Sequence, residues 1–229
     1  MPGLAVVVGA TGGIGAAMGR RLVETGLFVE VVALGRRTTP ALDLTDEASI
    51  EAAAAEVAGR GVPLRLVFDA TGFLHDETHQ PEKSWRHLTA EGLAHAFALN
   101  AIGPALLMKH FLPLMARDGK SVFATLSAKV GSITDNGYGG WYGYRASKAA
   151  LNQIVRTAAI EASRRRPELA VVAMHPGTVD TALSAPFSKA GLAVRDPDTA
   201  AGEMWSVIAG LDGEDTGRFL AYDGRELPW

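Results

Sequence analysis

Cysteine is absent from the 229-residue chain. That excludes disulfides and thiolate chemistry and fits a reducing compartment, so a cytoplasmic location is expected. Basic charge is not in excess either. The 22 Lys and Arg residues stand against 25 Asp and Glu, a net charge of −3, and that balance points to neither nucleic acid nor an anionic membrane as a partner. The opening stretch "MPGLAVVVGATGGIG" has no basic region and breaks into glycines after one short apolar run. It therefore reads as neither a signal peptide nor a membrane span. Low-complexity tracts, fixed-period repeats and Pro/Gly/Ser-rich linkers are missing, so residues 1–229 are expected to form one domain. The histidines (His75, His79, His87, His95, His110, His175) show no repeated metal spacing, and no metal site is expected.

What is present alternates. Short apolar runs read as strands: "LAVVVG" from Leu4, "VEVVAL" from Val29, "LRLVFDA" from Leu64, "SVFATLS" from Ser121, "LAVVAMH" from Leu169 and "GRFLAY" from Gly217. Helical patterns separate them. They cover Ile14 to Thr25, a stretch capped by Thr45 and ending near Gly59 or Gly61, about Ala90 to Met115, about Trp141 to Arg166, and about Thr199 to Gly210. Strand–helix alternation predicts an α/β fold: a doubly wound (Rossmann) parallel sheet with helices on both faces. Ligands of such sheets lie at the carboxyl ends of the strands.

The motifs cluster at those ends. "GATGGIG" joins the first strand to the first helix, with Gly9, Thr11, Gly12, Gly13, Ile14 and Gly15 in the loop. The glycines clear space for a close pyrophosphate, and the helix N-terminus offers free N–H groups and partial positive charge. At the end of the second strand, where the ribose is read, stand Arg36 and Arg37 rather than an acid. A guanidinium there pairs with a 2′-phosphate, which favours NADP(H) over NAD(H); the alternative is a solvated surface pair. In "YRASK", Tyr144 and Lys148 lie four apart and share a helix face. An ammonium beside a phenol is expected to lower its pKa from about 10 and give a general acid/base.

GxxxGxG after the first strand and YxxSK opening a long helix resemble the short-chain dehydrogenase/reductase family. The resemblance extends from Gly9 to Thr181 and implies roles residue by residue. Tyr144 exchanges a proton with a carbonyl or alcohol oxygen. Lys148 holds the nicotinamide ribose and depresses the tyrosine pKa. Asn100, in "FALNAIGP", supports a water relay to the lysine, or is an ordinary satisfied helix Asn. Asp43 and Leu44, in "LDLTD", frame the adenine, or form a capping segment. Ala70, Thr71 and Gly72, in "DATG", line the adenosine side where the family has NNAG. Pro176, Gly177, Val179 and Thr181, in "HPGTVDT", meet the carboxamide. The family's second strand-end serine is replaced by Ala128, which leaves Ser127 as the candidate oxyanion donor and Ser132 as its rival.

The segment Ala182 to Pro197 falls where the family keeps its substrate lid; it carries one aromatic, Phe187, and no basic cluster, so an apolar carbonyl compound or alcohol is the implied small-molecule substrate. In the family the two long helices pair across a two-fold axis, implying a homodimer or homotetramer. "FLHDE", the insertion "GSITDNGYGG" and the ending "GRFLAYDGRELPW" narrow the resemblance to the C-factor (C-signal) and carbonyl reductase-like branch. That branch is linked with signalling as well as reduction, so the expected NADPH-dependent carbonyl reductase has an alternative: an NAD(P)-binding regulatory protein of low turnover.

Overall fold

The protein is described by a computed structural model over residues 3–187 and 194–229. Six strands form the main sheet: β1 (Leu4–Val8), β2 (Glu30–Leu34), β3 (Leu64–Asp69), β4 (Ser121–Leu126), β5 (Leu169–His175) and, later in the chain, β8 (Phe219–Ala221). Their spatial order is β2-β1-β3-β4-β5-β8 and every neighbouring pair is parallel. Two further strands, β6 (Thr178–Val179) and β7 (Val194–Arg195), pair with each other outside the main sheet. The sequence pattern located the six sheet strands but not this small pair, because two residues are too few for a periodicity.

Side chains of the strands alternate between two cores. Leu4, Val6 and Val8 pack with α2 (Glu47–Gly59), α4 (Gly103–Phe111) and α5 (Tyr142–Ser163) on one face. Ala5 and Val7 pack with α1 (Gly13–Thr25) and α6 (Pro197–Gly210) on the other. Strands buried on both faces explain the continuous apolar runs.

Three expectations need adjustment. α2 is capped by Asp46, whose carboxylate accepts from Ala48 N, while Thr45 bonds back to Asp43. α5 runs from Tyr142 to Ser163, inside the expected bounds. The long helix from Ala90 is α3 (Ala90–Phe97), then a π-helical stretch at Ala98–Ile102, then α4. A π turn shifts the phase of the helix by one residue, which turns Asn100 fully into the interior. The run Ala90–Leu114 is apolar and long enough by composition to cross a bilayer, yet Ala101, Leu107, Met108 and Phe111 bury its inner face against the sheet and α5.

The two sheet edges differ. On β2, the exposed Glu30 is paired with Arg60, and Gly35 bridges to Ala41 just beyond the strand. Along β8 the chain folds back, with Leu227 N donating to Phe219 O at 2.7 Å and Ala221 N to Arg225 O at 2.8 Å. The Trp229 ring stacks on Phe219 at 5.5 Å.

Candidate active site

The carboxyl end of β1 opens into the glycine loop. Gly9 has φ 77°, a conformation suited to glycine. A Cβ on Gly15 would stand 2.2 Å from Gly9 O, so only glycine fits where the loop folds against the helix. α1 then begins without a side-chain cap and without an acidic residue in its first turn. Its leading N–H groups therefore lack a side-chain cap and have the positive end of the helix behind them, a cradle that fits a pyrophosphate.

Close approaches join this loop to the other motifs. Cβ positions at Gly9 would lie 3.1–3.3 Å from Ala70 and Thr71, and at Gly13 2.9 Å from Thr181 Cγ2. At Gly72 the same position looks onto Lys148 Nζ at 3.6 Å, Asn100 Oδ1 at 3.8 Å and Leu183 Cδ1 at 3.9 Å. Glycine loop, DATG loop, Thr181, Asn100 and Lys148 thus form one continuous wall. Ile14 packs partly buried on the core, and the Gly12 amide closes the turn onto Gly9 O at 3.0 Å; Thr11 is exposed. Val179 is buried, while Pro176 and Gly177 are half-buried, with Gly177 against Arg195 and Tyr222.

Asn100 works as a clip. Its Oδ1 accepts from Phe73 N at 2.7 Å, and its Nδ2 donates to Phe73 O at 2.8 Å and to Ser147 Oγ at 3.1 Å. Ser147 Oγ in turn donates to Tyr144 O at 3.0 Å. The loop after β3 is thereby fastened to the turn carrying Tyr144. Every polar atom of the Asn100 side chain has a protein partner, which is what a fully buried amide requires.

Lys148 is 2% exposed and donates to Leu126 O at 2.7 Å. Burial lowers its pKa to about 8, against the pull of the Asp69 charge. Asp69 is itself fully buried; burial pushes its carboxyl up, while Thr125 Oγ1 at 2.6 Å and Thr71 Oγ1 and N at 2.5 and 3.0 Å hold it down. Tyr144 departs from expectation. Burial pushes its phenol up to about 12, and the lysine does not bring it down. The ring is half-buried and stands edge-to-face with Trp141 at 6.2 Å. In this arrangement desolvation outweighs charge, so the phenol stays protonated through neutral pH.

The two serines are engaged elsewhere. Ser127 Oγ donates to Asn152 Oδ1 at 2.6 Å. Ser132 Oγ donates to Trp229 O at 3.1 Å and accepts from Asp135 N at 3.1 Å. Past β2, Gly35 and Thr38 organise a tight loop that leaves Arg36 and Arg37 exposed. Asp43 is held below the usual carboxylate range by hydrogen bonds from Thr45 and by the Arg36 charge. Leu44 is buried against Gly103.

The sequence placed Phe187 in the expected lid but did not show the aromatic wall it joins. Trp141 meets Phe187 at 5.3 Å, and Phe187 meets His75 at 5.2 Å. His75 Nε2 lies 3.2 Å from Ala182 O. Of the expected lid, residues 188–193 lie outside the described residues. The fold also gathers Asp76, His79 and His95, with ligand-type atoms within 4.8 Å of one another, though no sequence spacing announced it. The two imidazoles stack at 4.3 Å with 3° between planes, and His79 Nδ1 and His95 Nε2 both face the Asp76 carboxylate, at 3.1 and 3.9 Å. Asp76 already accepts from Thr78 and His79.

A parallel sheet with an uncapped glycine cradle at its switch point and a Tyr/Lys helix beside it defines an NAD(P)-dependent oxidoreductase. The chain belongs to the short-chain dehydrogenase family: the profile described as "short chain dehydrogenase" matches residues 3–191. Among curated relatives, C-signal of Myxococcus xanthus is 38% identical over 138 residues, 60% of this chain and 78% of that one. A 1-hydroxy-2-glutathionyl-2-methyl-3-butene dehydrogenase of Rhodococcus sp. (strain AD45) is 32% identical over 98% of both chains. Among solved structures, an NADPH-bound carbonyl reductase from chicken fatty liver superposes with TM-score 0.86 at 27% identity, covering 99% of this chain and 94% of that one. These likenesses set the chain with C-signal and the carbonyl reductases.

Proposed function

We propose that the protein is an NADPH-dependent reductase of small apolar carbonyl compounds, able to run in reverse on the alcohols. The observation that carries this is the continuous wall from the glycine cradle through Gly72 to Lys148 and Asn100. When bound, NADPH supplies the hydride. Gly9, Thr11, Gly12, Gly13, Ile14 and Gly15 hold its pyrophosphate. Arg36 and Arg37 hold the 2′-phosphate, and Asp43, Leu44, Ala70, Thr71 and Gly72 line the adenosine. Pro176, Gly177, Val179 and Thr181 meet the carboxamide, and Lys148 meets the ribose.

Tyr144 Oη donates the proton to the carbonyl oxygen, and a phenol held protonated suits the reductive direction. Asn100 fixes the Tyr144 turn, and Ser127 is the candidate second donor. Trp141, Phe187 and His75 form the substrate wall, apolar apart from the imidazole. NADP preference is further supported by a solved short-chain dehydrogenase/reductase from Burkholderia multivorans with bound NADP, at TM-score 0.81 and 26% identity. Residues 1–229 are one domain in this reading. Lack of cysteine fits the cytoplasm, and a groove of about 640 Å³ between α4 and α5, lined by Met108, Leu112, Ile154 and Ala158, is the surface for a homodimer or homotetramer.

A second reading, an NAD(P)-binding signalling protein of low turnover, draws on one observation. The Ser127 and Ser132 hydroxyls donate to Asn152 and Trp229, not toward Tyr144, and a missing oxyanion donor slows chemistry by roughly 10²–10³. The test is Tyr144→Phe assayed on a carbonyl panel with NADPH. The expected outcome is a loss of turnover of about 10²–10⁴ with the NADPH Kd unchanged. Wild-type turnover in that variant would falsify the mechanism. A wild-type chain that binds NADPH and reduces nothing supports the second reading.

A further inference from the structure

α5 carries Tyr144 in its first turn, yet the helix has no N-cap of its own. Trp141 occupies the cap position with φ 51°, makes no side-chain cap bond, and is followed by no acidic residue in the first turn. A 22-residue helix with bare leading N–H groups is poorly anchored at the end where the chemistry sits. The missing cap comes from 61 residues upstream. Glu82 Oε2 accepts from Gly143 N at 3.0 Å, and Glu82 O accepts from Trp141 N at 2.6 Å. The fit is close: a Cβ on Gly143 would stand 2.9 Å from Glu82 Oε1. A carboxylate at a helix N-terminus is favoured by both the hydrogen bond and the macrodipole.

We propose that Glu82 is a positioning residue for the reduction, a cap supplied from a distant loop of the same chain that fixes the turn bearing Tyr144. The inference rests on the reductase role of Tyr144. The two contacts divide the labour. The backbone carbonyl of Glu82 holds Trp141, and hence the substrate wall. The carboxylate holds Gly143, and hence the tyrosine one residue on. Removing the carboxylate therefore displaces the proton donor without moving Trp141, and its signature is a fall in kcat rather than a rise in KM.

The experiment compares Glu82→Ala and Glu82→Gln in the full chain. Amide hydrogen exchange reads the segment 137–147. Steady-state kinetics use 4-nitrobenzaldehyde with NADPH, and a titration gives the NADPH Kd. In Glu82→Ala, faster exchange at Gly143 and a fall in kcat of roughly 10–100-fold are expected, with KM and the NADPH Kd within about threefold of wild type. Glu82→Gln keeps an acceptor oxygen and restores both exchange and kcat to within about threefold. Wild-type kcat in Glu82→Ala overturns the positioning role. So does a Glu82→Gln variant as impaired as Glu82→Ala. A wild-type chain that reduces no carbonyl removes the reductase reading and the positioning role together, whereas an active wild type with an indifferent Glu82→Ala removes the positioning role alone.

Discussion

The two halves of the candidate site are built by different means. The pyrophosphate cradle of the proposed cofactor half is local. Gly9 to Gly15 lie within one turn, and their function follows from lacking side chains and from the helix they open. The substrate half is assembled from segments far apart: His75 after β3, Glu82 and Asn100 further on, Trp141 at the mouth of α5, Phe187 past β5. A backbone-built site tolerates almost no change in its few residues. A site built from side chains of several loops degrades by degrees and can be retuned.

Five substitutions bear on that contrast. The largest effect is expected for Gly15→Ala, whose Cβ would meet Gly9 O at 2.2 Å. NADPH binding is expected to be lost, with stability down by about 1–3 kcal/mol or more in urea unfolding. Gly13→Ala, facing the movable Thr181 side chain, serves as the milder control. Next come Arg36→Ala and Arg37→Ala. In the proposed site each would lose a charge-assisted bond to a phosphate, so titration should show NADPH weakened about 10–100-fold and NADH unchanged. Equal losses for both cofactors would move the arginines to the solvated surface. On the substrate side, Trp141→Ala should raise KM for aryl aldehydes roughly three- to tenfold and spare the NADPH Kd.

The smallest effect concerns His175, the last residue of β5. Burial, then the charges of Lys129 and Arg195, lower its pKa to about 4, and its buried Nδ1 has no hydrogen-bond partner among the described residues. The unfolded chain takes up a proton near pH 6.5 and the folded one near 4, so stability is lost as pH falls through that window. His175→Gln should shrink the difference in Tm between pH 7 and pH 5 by a few degrees.

The same contrast explains what was legible in the sequence. All six sheet strands and the glycine loop could be read, because each signal lies within a few residues. Asn100 could be placed on a helix, but not its π turn, which depends on packing against Ser147 and Phe73. The Tyr144/Lys148 pair was visible as a spacing. The sign of the tyrosine shift was not, since burial depends on the whole fold. Glu82 left no signal: its partner is 61 residues away, and a loop glutamate looks like any solvated charge. The stacked His79 and His95 were hidden for the same reason.

The closure of the sheet edges bears on how the chain behaves in a crowded solution. An open strand edge is an invitation to a neighbour's backbone. Here a strand arriving beside β8 would find the donors and acceptors of Phe219 and Ala221 already taken by Leu227 and Arg225, whereas one arriving beside β2 would meet the Glu30–Arg60 pair, whose desolvation disfavours docking. Six parallel strands form slowly, through contacts distant in sequence. The β8 closure is made when the last strand docks, so the backbone of that edge is offered to a neighbour only before folding is complete, while a charged pair guards the other edge.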